Sequence, residues 1–255
     1  MYRKSITIFF IILSTLACTS CAGPKKEVAS DKKRAEAFQN LGASYVREGK
    51  LREGLGNLHQ AVKLDPNNPD LHNQIGLVYM DLAEYDASLQ HFKTALALKP
   101  RFPEVQNNLG NLYLLMRKWD LAIASYQKAV ADVLYQTPHF AYTNMGLAYY
   151  NKGDYEKAIE VYQHSLGLDP TYSTTYFNLG YAYEAVQKWE EAINAYQKAI
   201  QYLPNDPAAY YRLGKLFLRL NEKKEASKVF EQFLEIAPKG PYQEEVKEIL
   251  KNIQK

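Results

Sequence analysis

Apolar positions recur along most of this chain with a long, regular period. An aliphatic or Met residue followed by Gly stands at Leu41-Gly42, Ile75-Gly76, Leu109-Gly110, Met145-Gly146, Leu179-Gly180 and Leu213-Gly214, at spacings of 34, 34, 36, 34 and 34 residues. Three residues after each Gly comes an aromatic: Tyr45, Tyr79, Tyr113, Tyr149, Tyr183 and Phe217. Twelve after it comes a small residue (Gly54, Ser88, Ala122, Ala158, Ala192, Ala226), and sixteen after it Leu58, Phe92, Tyr126, Tyr162, Tyr196 or Phe230. Gly and the small residue let two helices approach closely, while the large rings fill the space on either side. A Pro at 66, 100, 170, 204 and 238 closes the second helix of a unit, because Pro cannot continue the backbone bonding and disfavours a helical residue before it. The pattern predicts two helices per unit, joined by short connections in which Gly49 and Gly153 fall.

The arrangement is that of the tetratricopeptide repeat, in which antiparallel helix pairs of 34 residues stack into a superhelix. The resemblance implies an all-α fold, a right-handed superhelix of six repeats at 35–68, 69–102, 103–138, 139–172, 173–206 and 207–240. Residues 241–255 carry Val246, Ile249, Leu250 and Ile253 on one stripe, as expected of a capping helix over the open end of the stack. The repeat also accounts for an unusual composition, 21 Tyr against 10 Phe and 2 Trp. Tyr85, Trp119, Tyr155 and Trp189 share position 17 of the unit, and Tyr142, Tyr176 and Tyr210 share position 4. All of these are expected in the core.

Before the repeats the pattern changes. Residues 1–21 read as a basic start (Arg3, Lys4), an apolar run from Ile6 to Leu16, then small residues, which is a secretory signal. The run is too short to cross a bilayer as a helix, which takes about 20 residues. Both cysteines close it. Cys18-Thr-Ser-Cys21 has the spacing of a redox or metal pair, but no strand-helix-strand pattern follows and no second Cys or His cluster completes a zinc site. An apolar run ending in small residues and Cys resembles instead the lipobox of bacterial lipoproteins, making Cys18 or Cys21 the lipid anchor, held by two acyl chains. Neither candidate is followed by Asp, since Thr19 or Ala22 comes next; by resemblance this sends the protein to the outer membrane, facing the periplasm. Residues 22–34 are polar and read as a flexible tether.

Composition and charge narrow the function. With 47% hydrophobic and 23% charged residues the chain is a folded protein, and its net charge of +3 comes from interspersed charges, with no nucleic-acid footprint. His59, His72, His91, His139 and His164 fall at scattered repeat positions. No metalloprotease pair, nucleophile elbow, phosphate loop or kinase set is present. Glu190-Glu191 and Glu244-Glu245 lie on solvated helix faces. The reading is a protein that is not an enzyme, with no metal, no cofactor and no small-molecule substrate.

Binding remains. In stacked repeats the first helix of each pair lines the inner surface, and positions 2, 5, 9 and 12 share a stripe. It contains Asn73, Leu77 and Met80; Asn107, Asn111 and Leu114; Thr143, Leu147 and Tyr150; and Phe177 and Tyr181, joined by Asn108, Asn144 and Asn178 at position 6. Amides beside apolar surface suit a peptide, whose backbone they can bond. The inner cations are confined to the last copy, Arg212, Lys215 and Arg219, which disfavours a chaperone adaptor.

One segment breaks the period. Between the third and fourth copies, Val133-Leu-Tyr-Gln-Thr-Pro-His-Phe140 adds two residues, with the third copy's second helix expected from Leu121 to about Val133. Such an insertion is tolerated in a loop. The stretch VLYQTPHFAYTNMGLAYYNKGDY also resembles the corresponding junction of the pilotin-type lipoproteins of type IV pilus biogenesis, which share this length, a lipoprotein signal and six repeats. That resemblance implies binding of outer-membrane secretin subunits and promotion of their multimer assembly or localisation. The alternative is a general envelope interaction lipoprotein, for example an adaptor for peptidoglycan-remodelling enzymes.

Overall fold

The computed structural model describes residues 23–237 and 239–253. The signal, Cys18, Cys21 and Pro238 lie outside the described residues. Thirteen helices and no strand are found among the described residues. Six pairs follow one another: α1 (Gly23–Arg47) with α2 (Leu51–Leu64), α3 (Pro69–Asp81) with α4 (Tyr85–Leu98), α5 (Pro103–Leu115) with α6 (Trp119–Val130), α7 (Pro138–Lys152) with α8 (Tyr155–Leu168), α9 (Ser173–Ala185) with α10 (Trp189–Tyr202), and α11 (Pro207–Arg219) with α12 (Lys223–Ile236). A last helix, α13 (Gln243–Ile253), packs on α12, with Val246 wholly buried and Ile249, Leu250 and Ile253 against the same core. Each helix packs mainly on its sequence neighbours, the quasi-linear construction of stacked repeats.

The small and large positions interlock as the spacing requires. Leu58, Phe92, Tyr126, Tyr162, Tyr196 and Phe230 are each at most 1% exposed. A Cβ built on Gly146 would lie 2.5 Å from a ring carbon of Tyr162, and on Gly110 2.5 Å from Tyr126. Only Gly lets these helices approach so closely. Ser88 fills its small-residue slot by donating to the Gly76 carbonyl at 2.7 Å.

The first-to-second-helix turn is the same in every copy. Its position 15 is left-handed throughout: Gly49, Ala83, Arg117, Gly153, Gln187 and Asn221 all have φ between 57° and 91°. In four copies a side-chain-bearing residue accepts a backbone region that costs it roughly 1–2 kcal/mol.

Three expectations change. Tyr85, Trp119, Tyr155 and Trp189 open their helices half-buried, as are Tyr142 and Tyr176; of the position 4 and 17 aromatics only Tyr210 is buried. A ring can cover the core while its polar edge stays near water, which explains their place. Residues 23–34, expected as a tether, are helical here and continuous with the first repeat helix. Helix formers such as Lys, Glu and Ala, behind a Pro near the start, favour that extension. Finally, α6 ends at Val130 rather than near Val133. The inserted residues form a turn in which Asp132 accepts from the Leu134 backbone at 3.0 Å, and Tyr135 drops into the gap beside Ala129, Ala141 and Met145. Val133 and Leu134 are left 95% and 75% exposed.

Candidate functional site

The odd-numbered helices α3, α5, α7 and α9 also touch one another across copies, whereas the even-numbered ones make no comparable contacts among themselves. The odd set therefore lies inside the curve, and the predicted stripe falls on it. The stripe divides into two chemistries.

In the second to fourth copies the amides bond to each other. Asn108 Nδ2 donates to Asn73 Oδ1 at 3.0 Å, and Asn144 Nδ2 donates to Asn111 Oδ1 at 3.0 Å. Asn111 Oδ1 also accepts from the Tyr126 hydroxyl at 2.7 Å. Asn73 Oδ1 thus accepts one bond and Asn111 Oδ1 two, and neither residue's Nδ2 takes part in them. Asn107 Oδ1 is buried without a protein partner. Leu77, Met80, Leu114 and Leu147 are half-buried between the amides.

From the fourth copy onward rings take over. Phe177 meets Tyr181 edge-on at 5.0 Å between centroids, and Tyr181 meets Tyr150 at 6.3 Å. Asn178 is half-buried on the same helix. Burial raises the Tyr150 and Tyr181 hydroxyls above their ordinary range, with the Arg212 guanidinium opposing the rise.

Thr143 is a correction. Expected on the stripe, it is 2% exposed, its hydroxyl 2.9 Å from the His139 carbonyl, 2.9 Å from Ser165 Oγ and 2.6 Å from Thr175 Oγ1. It belongs to a buried hydroxyl cluster linking α7, α8 and α9, because a polar residue that finds such partners is held in the interior.

Two groupings were not assembled from the sequence, although it named Arg212 and Arg219 as inner cations and noted the histidines. The first is a concavity of about 300 Å³ lined by Tyr150, Tyr181, Glu184, Ala185, Arg212 and Arg219, on α7, α9 and α11. The available signal was the seven-residue spacing of Arg212 and Arg219, which puts both on one side of α11. The second joins three histidines from α2, α3 and α4. His72 Nε2 donates to the Pro66 carbonyl at 3.1 Å, so its Nδ1 accepts from His91 Nδ1 at 3.1 Å, and His59 Nε2 lies 3.0 Å from the Tyr79 hydroxyl. Burial, with His72 and His59 alongside, brings His91 down to about 4.

Comparison with known proteins agrees with this construction. A family model described as TPR repeat matches residues 42–83, 78–116, 146–187 and 185–221, and two described as tetratricopeptide repeat match 107–137 and 207–239. The chain belongs to the tetratricopeptide repeat family. No curated protein matches it in sequence. Among solved structures it is similar to PilF of Pseudomonas aeruginosa, at 19% identity and a TM-score of 0.72 over 86% of this chain and 99% of that one. It is also similar to PilW, described as a widely conserved type IV pilus biogenesis factor, at 22% identity and a TM-score of 0.76 over 83% of this chain and 97% of that one. MamA follows the same fold, at 27% identity and a TM-score of 0.56 over 63% of this chain and 93% of that one.

Proposed function

We propose that this protein is a non-enzymatic, lipid-anchored scaffold of the outer membrane, facing the periplasm, that binds secretin subunits and promotes their assembly in type IV pilus biogenesis. The observation that carries the reading is that nearly the whole length of PilF and of PilW superposes on this chain. The inner face supports it: half-buried amides, aliphatic groups and rings run along consecutive helices, as an extended or helical protein segment requires. The lipobox-like cysteines give the scaffold a membrane address, and anchoring raises its effective concentration near a membrane-bound partner without any new contact.

The test is an immunoblot of the pilus secretin, run without full denaturation, in cells with and without this gene. Loss of the high-mass band with monomer persisting is expected. Normal multimers and normal piliation would overturn the reading and favour the general envelope adaptor. Replacing both Cys18 and Cys21 by Ser should release the protein from the membrane fraction; unchanged fractionation would remove the anchor.

A further inference from the structure

We infer that the concavity between α7, α9 and α11 takes an acidic segment of a partner protein, through two guanidiniums that the fold leaves without a carboxylate. This rests on reading the inner face as the protein-binding surface and adds the chemistry of its occupant. Arg212 lies over the Tyr181 ring, its guanidinium carbon 4.3 Å from the centroid, and Arg219 lies over Trp189 at 4.4 Å. Arg212 also hydrogen-bonds the Tyr181 hydroxyl, but a guanidinium carries five N–H donors, and those left over on the two arginines suit the two oxygens of a carboxylate.

The neighbouring charged groups have partners of their own, although Glu184 keeps its negative charge. Lys215, between the two arginines on α11, is paired with Glu245 of α13 at 3.0 Å. Glu184, the carboxylate lining the concavity, accepts the Tyr196 hydroxyl at 2.5 Å. Neither Arg212 nor Arg219 has an ion pair among the described residues. The concavity is open where α9 and α11 approach less closely than α7 and α9, with Arg212 reaching across to Tyr181.

Spacing narrows the ligand. Seven residues along a helix place the backbones of the two arginines about 10.5 Å apart along α11. Carboxylates match that distance at i and i+3 of an extended polyproline-type segment, about 9.3 Å along one side, or at i and i+7 of a helix. Glu184 on the same wall offsets one of the two guanidinium charges, so the concavity suits a sparse acidic segment and not a polyanion such as a nucleic-acid backbone.

The probe is a pair of fluorescein-labelled twelve-residue peptides in a Pro-rich background, one with Glu at i and i+3 and one with Gln in both places. Anisotropy is read against the folded repeat protein at low and high salt. The Glu peptide should bind at least tenfold tighter than the Gln peptide, and Arg212→Gln with Arg219→Gln should abolish that difference, as should high salt. Lys223→Gln, an exposed charge on α12, should change nothing, and circular dichroism melts should coincide for all variants. Equal binding of the two peptides, indifference to the arginine substitutions, or no binding of the Glu peptide at millimolar concentration would each overturn the assignment. Peptide binding with normal secretin multimers in Arg212→Gln, Arg219→Gln cells would leave the acidic site standing and remove the secretin as its partner.

Discussion

The copies before the 131–137 junction and those after it share one interior and differ on the inner face. Before it, the amides pair, Asn108 with Asn73 and Asn111 with Asn144 from beyond the junction. After it, Tyr150, Phe177 and Tyr181 form a patch of rings with Arg212 laid on it. Positions 8, 20 and 24 of the unit are nearly invariant in size across both halves, so packing and recognition are carried by different residues. The difference teaches that this scaffold changes what it presents without changing what holds it up.

If the interior is truly common, Gly110→Ala and Gly146→Ala should be equally damaging. Each added methyl meets a fully buried ring, and overpacking should outweigh the helix propensity gained, at a net cost of about 1–2 kcal/mol. Urea unfolding of both variants checks this, and a neutral result in one half alone would break the comparison.

The ring hydroxyls at position 24 sharpen it. Tyr126 donates to Asn111 and Tyr196 to Glu184, but Tyr162, wholly buried between them, has no partner for its hydroxyl. Tyr126→Phe should lose about 1 kcal/mol, whereas Tyr162→Phe should be neutral or gain about 1 kcal/mol. Thermal melts should therefore fall for Tyr126→Phe and hold or rise for Tyr162→Phe.

Acid should weaken the first half preferentially. His91 is held at about 4 against an ordinary 6.5, so the unfolded chain takes up the proton first as pH falls. Its contribution is present above 6.5 and is lost between about 6.5 and 4. With half the ring near solvent the loss should be about 1 kcal/mol. Denaturant curves at pH 7.5 and 5.0 should show a smaller difference for His91→Gln than for the parent.

The smallest effect belongs to the turns. Gln187→Gly should stabilise by up to about 1 kcal/mol, since Gly adopts the left-handed backbone freely, as Gly153 already does at the equivalent place. A drop in melting temperature would mean that the Gln187 side chain contributes more than its backbone costs.

Much of this was legible because repetition averages out local ambiguity. Six copies of Gly followed sixteen residues later by a large side chain identify both helices and their contact, and the burial of that residue in every copy follows. The inner face was less legible because it does not repeat. Thr143 occupies the same slot as Asn107 and Phe177, and its burial depends on Ser165 and Thr175, which stand where most other copies carry Ala or another apolar residue. The sequence named Arg212 and Arg219 as inner cations of the last copy but did not join them to the rings: they sit at positions 6 and 13, one side of α11, and meet Tyr150 and Tyr181 only across the curve.

Residues 131–137 make a seam whose one buried side chain is Tyr135. The interior does not stop there: Tyr126 and Ala129 of α6, Tyr135, and Ala141 and Met145 of α7 belong to one buried cluster, and α6 packs broadly on α7. The two added residues therefore act as a built-in spacer. One ring takes up the slack of a longer connection, so the chain changes the length of a link without opening a hole in its wall.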